Sequence, residues 1–351
     1  MYLAISFHSF IIKLIIKKEG AFMFGECHMH IFMNGVNYRE AVQLHKNGVQ
    51  EADIRKKLEQ YKACGITFLR DGGDGLGVSA RAAKIAPEYG IAYRTPIFAI
   101  HKKGHYGGIV GYGFEDWREY HSLVKQVRAE GGDFIKVMFS GIMDFDREGA
   151  VTEPSLSENE IREMIHIAHE EGFAVMAHVN GADAVRAAVC AGVDSVEHGN
   201  FMDEDCLQVL LDSDAVWVPT YVTITNLIGS GRFDDAGLLR LRKRQGRMIR
   251  RGFELGVQIA LGSDAGAYRV MHGQGLIDEY REFRRLTGVD ADKCKNGCAG
   301  NYAVGGRIES GDKGEDACEE ELSPLFTAQE LDARLAAAED KIQRKFSAGQ
   351  F

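Results

Sequence analysis

The chain has 351 residues, 45% hydrophobic and 26% charged, an ordinary balance for a globular enzyme with a large core. Its 42 lysines and arginines against 51 aspartates and glutamates leave a formal charge of −9, which disfavours nucleic acid and anionic membrane as partners. Seven cysteines, an odd number with no disulfide framework, fit a reducing cytoplasm.

Residues 1–22 read as an N-terminal extension. The run Phe10 to Ile16 is apolar, but it is too short to span a membrane and is broken by Lys13. There is no basic start or small-residue cleavage site, which argues against a signal peptide, and Met23 is a candidate natural start. A first strand ends in Gly25-Glu26-Cys27-His28-Met29-His30, and 51–63 is a helical pattern ended by Gly65. Strand two covers 66–71 and its helix 76–89. Strand three covers 91–100, with a helix at 115–129. Strand four is 134–138, followed by a helix over 158–171 capped by Ser157. Strand five is 173–177 with a helix at 182–191; strand six is 193–197 with a helix at 204–211. Strand seven is 215–218, a long basic helix spans 238–255, and strand eight is 257–261. Eight strand–helix alternations predict an α/β chain folded as a (β/α)8 TIM barrel over 23–290. Residues 291–327, with Cys294, Cys298, Cys318 and the acidic run 314–321, read as an atypical flexible insertion. Residues 328–351 carry a C-terminal helix. Cys27, Cys64 and Cys190 read as small buried residues.

Two apparent motifs have plainer explanations. Gly73-Asp74-Gly75-Leu76-Gly77 lacks the full dinucleotide spacing and sits where a turn should follow strand two. The basic run 240–251 alternates with Leu241, Met248 and Ile249, which makes an amphipathic helix.

Six residues stand at strand ends where such a barrel gathers its chemistry: His28, His30, Lys136, His178, His198 and Asp264. Positions i and i+2 of a strand share a face, so His28 and His30 can bind one ion. Imidazole and carboxylate suit divalent zinc, iron, nickel or manganese. A free ammonium is a poor neighbour for a cation; Lys136 makes sense there if its amine has reacted with CO2 to give a carbamate. The structural alternatives are a snorkelling lysine, core histidines and Asp264 as a helix cap.

The segments Cys27-His28-Met29-His30, Phe134-Ile135-Lys136-Val137-Met138, Ala177-His178-Val179-Asn180-Gly181, Ser195-Val196-Glu197-His198-Gly199, Val218-Pro219-Thr220-Tyr221 and Leu261-Gly262-Ser263-Asp264-Ala265-Gly266 resemble the metal-dependent amidohydrolase superfamily. Within it, the chain is most similar to the branch of imidazolonepropionase-like proteins and Xaa-Pro or Xaa-Arg dipeptidases. The resemblance runs from Gly25 to about Phe283. It implies a barrel whose usual β-sandwich domain is here reduced or absent. It also implies two zinc ions per chain: His28, His30 and Asp264 on the more buried ion, His178 and His198 on the other, with carboxylated Lys136 bridging. A bridging hydroxide would attack an amide carbonyl of a dipeptide, N-acyl amino acid or cyclic amide, with Asp264 as proton shuttle. His105, or His101 near it, and Tyr221 are candidates to hold the substrate or its oxyanion. Arg70, Arg94 and Lys102 are candidates for a substrate carboxylate. Small-molecule or dipeptide substrates are the expected partners, and the outer helices could support a homo-oligomer. The alternatives on the same barrel are a lactonase or phosphoesterase, and a mononuclear cyclic-amide hydrolase or deaminase; Lys136 argues against the mononuclear site. A barrel that only binds ligand is disfavoured by the intact ligand set. The chain departs from many relatives in having Ser140-Gly141-Ile142-Met143 where they carry paired glycines.

Overall fold

The computed structural model describes residues 24–147, 149–289 and 323–347. The expected extension over 1–22 lies outside the described residues. So does the insertion up to residue 322, with Cys294, Cys298 and Cys318.

Among the described residues nine short strands are all parallel: β1 (Glu26–Met29), β2 (Phe68–Asp71), β3 (Ala92–Arg94), β4 (Ala99–Lys102), β5 (Gly111–Phe114), β6 (Ile135–Met138), β7 (Val175–Val179), β8 (Ser195–His198) and β9 (Val216–Val218). They form one sheet ordered β1-β2-β3 and another ordered β5-β4-β6-β7-β8-β9. The expected strand three is therefore divided. Its first half pairs with β2 and its second half with β6. Pro96 sits at the break, where it offers no N–H, and Ile97 turns left-handed at φ 67°.

The expected strand eight does not form a regular ladder, yet its segment joins the two sheets. Trp217 N–H donates to the Gln258 carbonyl at 2.9 Å and Ala260 N–H to the Trp217 carbonyl at 2.9 Å. On the other side, Cys27 N–H donates to Leu261 O at 3.0 Å and His30 N–H to Ala265 O at 2.8 Å. The result is a (β/α)8 barrel whose ring is assembled from two sheets and a bridging segment. β5 is an addition the sequence pattern did not reveal. It depends on Gly111, where a Cβ would lie 1.7 Å from the Ala99 carbonyl oxygen of β4.

The helices are α1 (Tyr38–His45), α2 (Glu51–Ala63), α3 (Val78–Ile85), α4 (Trp117–Ala129), α5 (Glu158–Glu170), α6 (Ala182–Cys190), α7 (Glu204–Leu211), α8 (Val222–Thr225), α9 (Asp235–Leu255), α10 (Gln274–Leu286) and α11 (Ala328–Lys345). Ser157 caps α5 in a reciprocal capping box with Glu160. The expected helix over 76–89 ends at Ile85 and continues as a 3-10 turn containing Pro87. The short helices α1 and α8 and the longer α10 were not expected. α10 hides its inward stripe because Glu279 lies on it, fully buried, accepting the N–H groups of Tyr221 and Val222 at 2.9 and 2.8 Å. Cys27 is buried as expected, but Cys64 is half-buried and Cys190 is exposed, because it ends α6 on the outward side.

α11 lies across the N-terminal mouth of the barrel. Its Ala338 and Ile342, with the capping residue Phe346, pack among Cys27, Phe68, Phe134, Met176 and Val218. Among the described residues no helix is long and apolar enough to cross a membrane.

Candidate metal centre

His28, His198 and Asp264 each present a donor atom within 4.8 Å of the others. Asp264 Oδ1 is 3.6 Å from His28 Nε2 and 3.8 Å from His30 Nε2. The His178 ring lies 4.6 Å from that of His198, which lies 4.9 Å from that of His28. Lys136, 1% exposed, acts electrostatically on all four imidazoles and on Asp264. The structure thus brings together the six residues singled out at the strand ends.

Strand alternation accounts for only part of this. His28 and His30 share a face, as do Phe134 and Lys136, and Met176 and His178. Glu197 and His198 are adjacent in β8, and alternation would send them to opposite faces. His198 instead adopts φ 67°, which ends the strand and turns its ring back towards His28. The Trp217 indole N–H at 3.0 Å and the Gln245 amide at 3.3 Å hold its carbonyl. Asp264 (φ 59°) and Thr220 (φ 50°) are also left-handed. Backbone strain of about 1–3 kcal/mol at each such residue is sustained only where surrounding contacts enforce it. At Asp264 those contacts include its own N–H donated to the His28 carbonyl at 2.7 Å.

Each imidazole has a fixed partner. His28 Nδ1 meets Glu197 Oε2 at 2.7 Å, His198 Nδ1 meets Thr220 Oγ1 at 2.7 Å, and His30 Nδ1 lies 3.4 Å from the Gly73 carbonyl. His178 Nε2 is 3.2 Å from the Gly141 carbonyl. Such partners orient metal-binding imidazoles and set their tautomers. Glu197 is itself held by Arg70, whose Nη2 donates to Oε1 at 2.9 Å. Glu26 ties the Asp264 loop to β1, accepting from Ser263 N–H at 2.7 Å and Ser263 Oγ–H at 2.6 Å.

The electrostatics suit a cation. Burial, followed by the Lys136 charge, lowers His30 and His178 to about 3. His28 is driven well down by burial and then Lys136; His198 by burial and then His178 and His28. The four rings are therefore neutral at ordinary pH, the form that donates a lone pair. Burial lowers the Lys136 ammonium and raises the Asp264 carboxyl. Most telling, His28 Nε2 and Lys136 Nζ are buried with no hydrogen-bond partner. Orphaned polar atoms are costly. A divalent ion would satisfy His28 Nε2, and a carbamate on the amine would give Lys136 an anionic oxygen for that ion. The donor set fits the group.

The substrate-side candidates fare differently. Tyr221 is turned away from the cluster: it is 1% exposed and its hydroxyl donates to the Arg242 carbonyl of α9 at 2.7 Å. That corrects its assignment to the oxyanion. His105 lies half-buried in the turn after β4, and its imidazole makes no hydrogen bond or ring contact with the cluster among the described residues. His101 directs Nδ1 at the Lys102 carbonyl and packs under the glycines Gly107 and Gly113. The residue that meets the cluster is Tyr106, whose ring lies 5.1 Å from His178 and whose backbone N–H is held by Glu153 at 2.6 Å. Burial, with Asp264 and Glu153 nearby, keeps its phenol protonated. The sequence offered one signal for it, an aromatic residue in the glycine-rich loop after strand three.

The cationic candidates are also corrected. Arg70 is fully buried beneath the histidines and committed to Glu197, Ser195 and the Cys27 carbonyl. Lys102 pairs with Glu160 at the start of α5, and Arg94 sits 3.8 Å from Asp133.

Comparison with known proteins agrees with this geometry. The amidohydrolase family model matches residues 26–294. An uncharacterized protein of Mycobacterium tuberculosis is 28% identical over 178 residues, 49% of this chain and 47% of its own length. Ochratoxinase of Aspergillus niger is 26% identical over 208 residues, 57% of this chain and 41% of its own. The chain thus matches less than half the length of these curated relatives. Among solved structures, A. niger ochratoxinase superposes with a TM-score of 0.61 at 21% identity, covering 75% of this chain and 66% of that one. A Xaa-Pro dipeptidase with bound methionine in its active site gives 0.58 at 22% identity, covering 76% and 70%. At these identities the likeness is one of fold.

Proposed function

This chain belongs to the amidohydrolase family, and from that premise we propose that it is a metal-dependent hydrolase of an amide C–N bond in a small substrate such as a dipeptide or N-acyl amino acid. The observation that carries the reading is the convergence of His28, His198 and Asp264 donors within 4.8 Å, beside two orphaned buried nitrogens. Relatives named ochratoxinase and Xaa-Pro dipeptidase support the choice of an amide over an ester or phosphoester.

Two zinc ions are the proposed complement. His28, His30 and Asp264 would hold one, His178 and His198 the other, with carboxylated Lys136 between them. When bound, such ions acidify water and polarise a carbonyl. The chain's own groups do the rest. Asp264, whose side chain is 19% exposed beside Nε2 of His28 and His30, accepts a proton at its carboxylate and returns it to the departing amine. The Tyr106 ring lies 5.1 Å from that of His178, and its hydroxyl would donate to the substrate carbonyl oxygen as it gains charge. Glu197 keeps His28 in the tautomer that frees Nε2.

Elemental analysis of protein purified with bicarbonate, together with the intact mass of Lys136, tests this reading. Two metals per chain and a modified lysine are expected, with turnover of dipeptides or N-acyl amino acids. One metal and a free amine would shift the assignment to mononuclear cyclic-amide hydrolysis or deamination.

A further inference from the structure

α11 lies outside the residues matched by the family, yet it reaches towards the metal ligands from below. Ion pairs flank its apolar seat at the N-terminal end of the barrel. Lys345 Nζ lies 3.0 Å from Asp194 and 3.3 Å from Asp214, and Lys341 Nζ lies 2.5 Å from Asp214. These aspartates precede β8 and β9. At the end of the helix, Phe346 enters the bore fully buried, edge-on to Phe134 with ring centroids 5.1 Å apart.

The Phe346 ring faces the Arg70 guanidinium carbon at 4.4 Å. Arg70 commits its edge to three acceptors: Cys27 O at 2.6 Å, Ser195 Oγ at 2.8 Å and Glu197 Oε1 at 2.9 Å. The other Glu197 oxygen meets His28 Nδ1 at 2.7 Å. A continuous path of contacts therefore runs from the C-terminal helix through Arg70 and Glu197 to His28.

We propose that Phe346 is a positioning residue for His28, acting through Arg70 and Glu197. The three hydrogen bonds along its edge set the plane of the Arg70 guanidinium, and an aromatic ring on its face adds a cation–π attraction that holds the group in that place. Phe346 covers that face and keeps water out of the floor. Without the aromatic face, Arg70 loses the cation–π contact and is held less firmly against Glu197. Glu197 then holds the His28 ring less firmly, and the Nδ1–H tautomer that leaves Nε2 free loses population. The proposal rests on His28 as a metal ligand for its effect on zinc, but not for its effect on the tautomer.

The test compares Phe346→Leu, which keeps an apolar floor and removes the aromatic face, with Leu335→Ala. Leu335 is fully buried on the same helix but packs in the main core rather than in the cluster around Phe346. Zinc affinity is read by chelator competition on folded full-length protein, and the His28 tautomer by nitrogen NMR of metal-free protein. Phe346→Leu should weaken zinc about tenfold and lower the His28 Nδ1–H population, while Leu335→Ala leaves both near the parent values. An unchanged tautomer in Phe346→Leu overturns the proposal, as does an equal loss in both variants. Failure of the parent protein to bind zinc would overturn the metal reading alone, because the metal-free tautomer decides the positioning role separately.

Discussion

Glu197 and His198 are consecutive residues that both face the ring of His28: the Glu197 carboxylate sits 2.7 Å from its Nδ1 and the His198 ring 4.9 Å away. A regular strand would separate them. The left-handed turn at His198 lets one short strand supply both a candidate ligand and the carboxylate that orients His28.

Glu197 also neutralises Arg70 where neither side chain has any exposure. Replacing it with alanine strands a buried guanidinium, so Glu197→Ala should destabilise the fold by about 3–5 kcal/mol in denaturant titration. A loss below about 1 kcal/mol would show that Arg70 is neutralised by other means.

Asp264 is partly exposed beside Nε2 of His28 and His30, and its proposed role is proton transfer. Asp264→Asn should reduce turnover by about 10²–10⁴ while the thermal midpoint stays close to that of the parent. Full activity in this variant would rule out the assigned shuttle.

Tyr106 separates the structural reading from the one built on His105 and Tyr221. Tyr106→Phe keeps the ring against His178 and removes only the hydroxyl. We expect kcat to fall by about a hundredfold with stability unchanged, whereas Tyr221→Phe should lose stability, through its bond to Arg242 O, rather than rate. Steady-state kinetics and thermal melts on both variants decide between them.

Away from the metal centre, the Asp53 carboxyl faces His45 at 3.3 Å and Lys57 at 2.6 Å. Burial pushes it up, but the hydrogen bonds from His45 and Lys57 outweigh that and hold it at about 2, below its ordinary 3.8. A depressed carboxyl contributes stability above its unfolded value and loses it as pH falls through the folded one. The contribution, about 2 kcal/mol, should therefore be intact at pH 5 and vanish between about pH 4 and pH 2. Denaturation of Asp53→Asn and parent protein across that range should show the gap closing as pH falls; a constant gap would contradict the assignment.

Local pattern was enough to single out His28, His30, Lys136, His178, His198 and Asp264 and to indicate the barrel, because side-chain period and strand–helix alternation are properties of neighbouring residues; it did not show that Lys136 lies within β6 or that the segment before Asp264 forms no regular strand. Only the tertiary structure decided which atoms meet. Arg70 reaches Glu197 across 127 positions of the chain, a contact no window of sequence contains. The inversion at His198 depends on Trp217 and Gln245 holding its carbonyl from other elements. Tyr221 follows β9 as the candidate ligands follow or end other strands, yet a helix carbonyl claims its hydroxyl. The seat of Phe346 in the barrel floor likewise follows from long-range packing, since an amphipathic helix carries no record of the surface that will bury its apolar side.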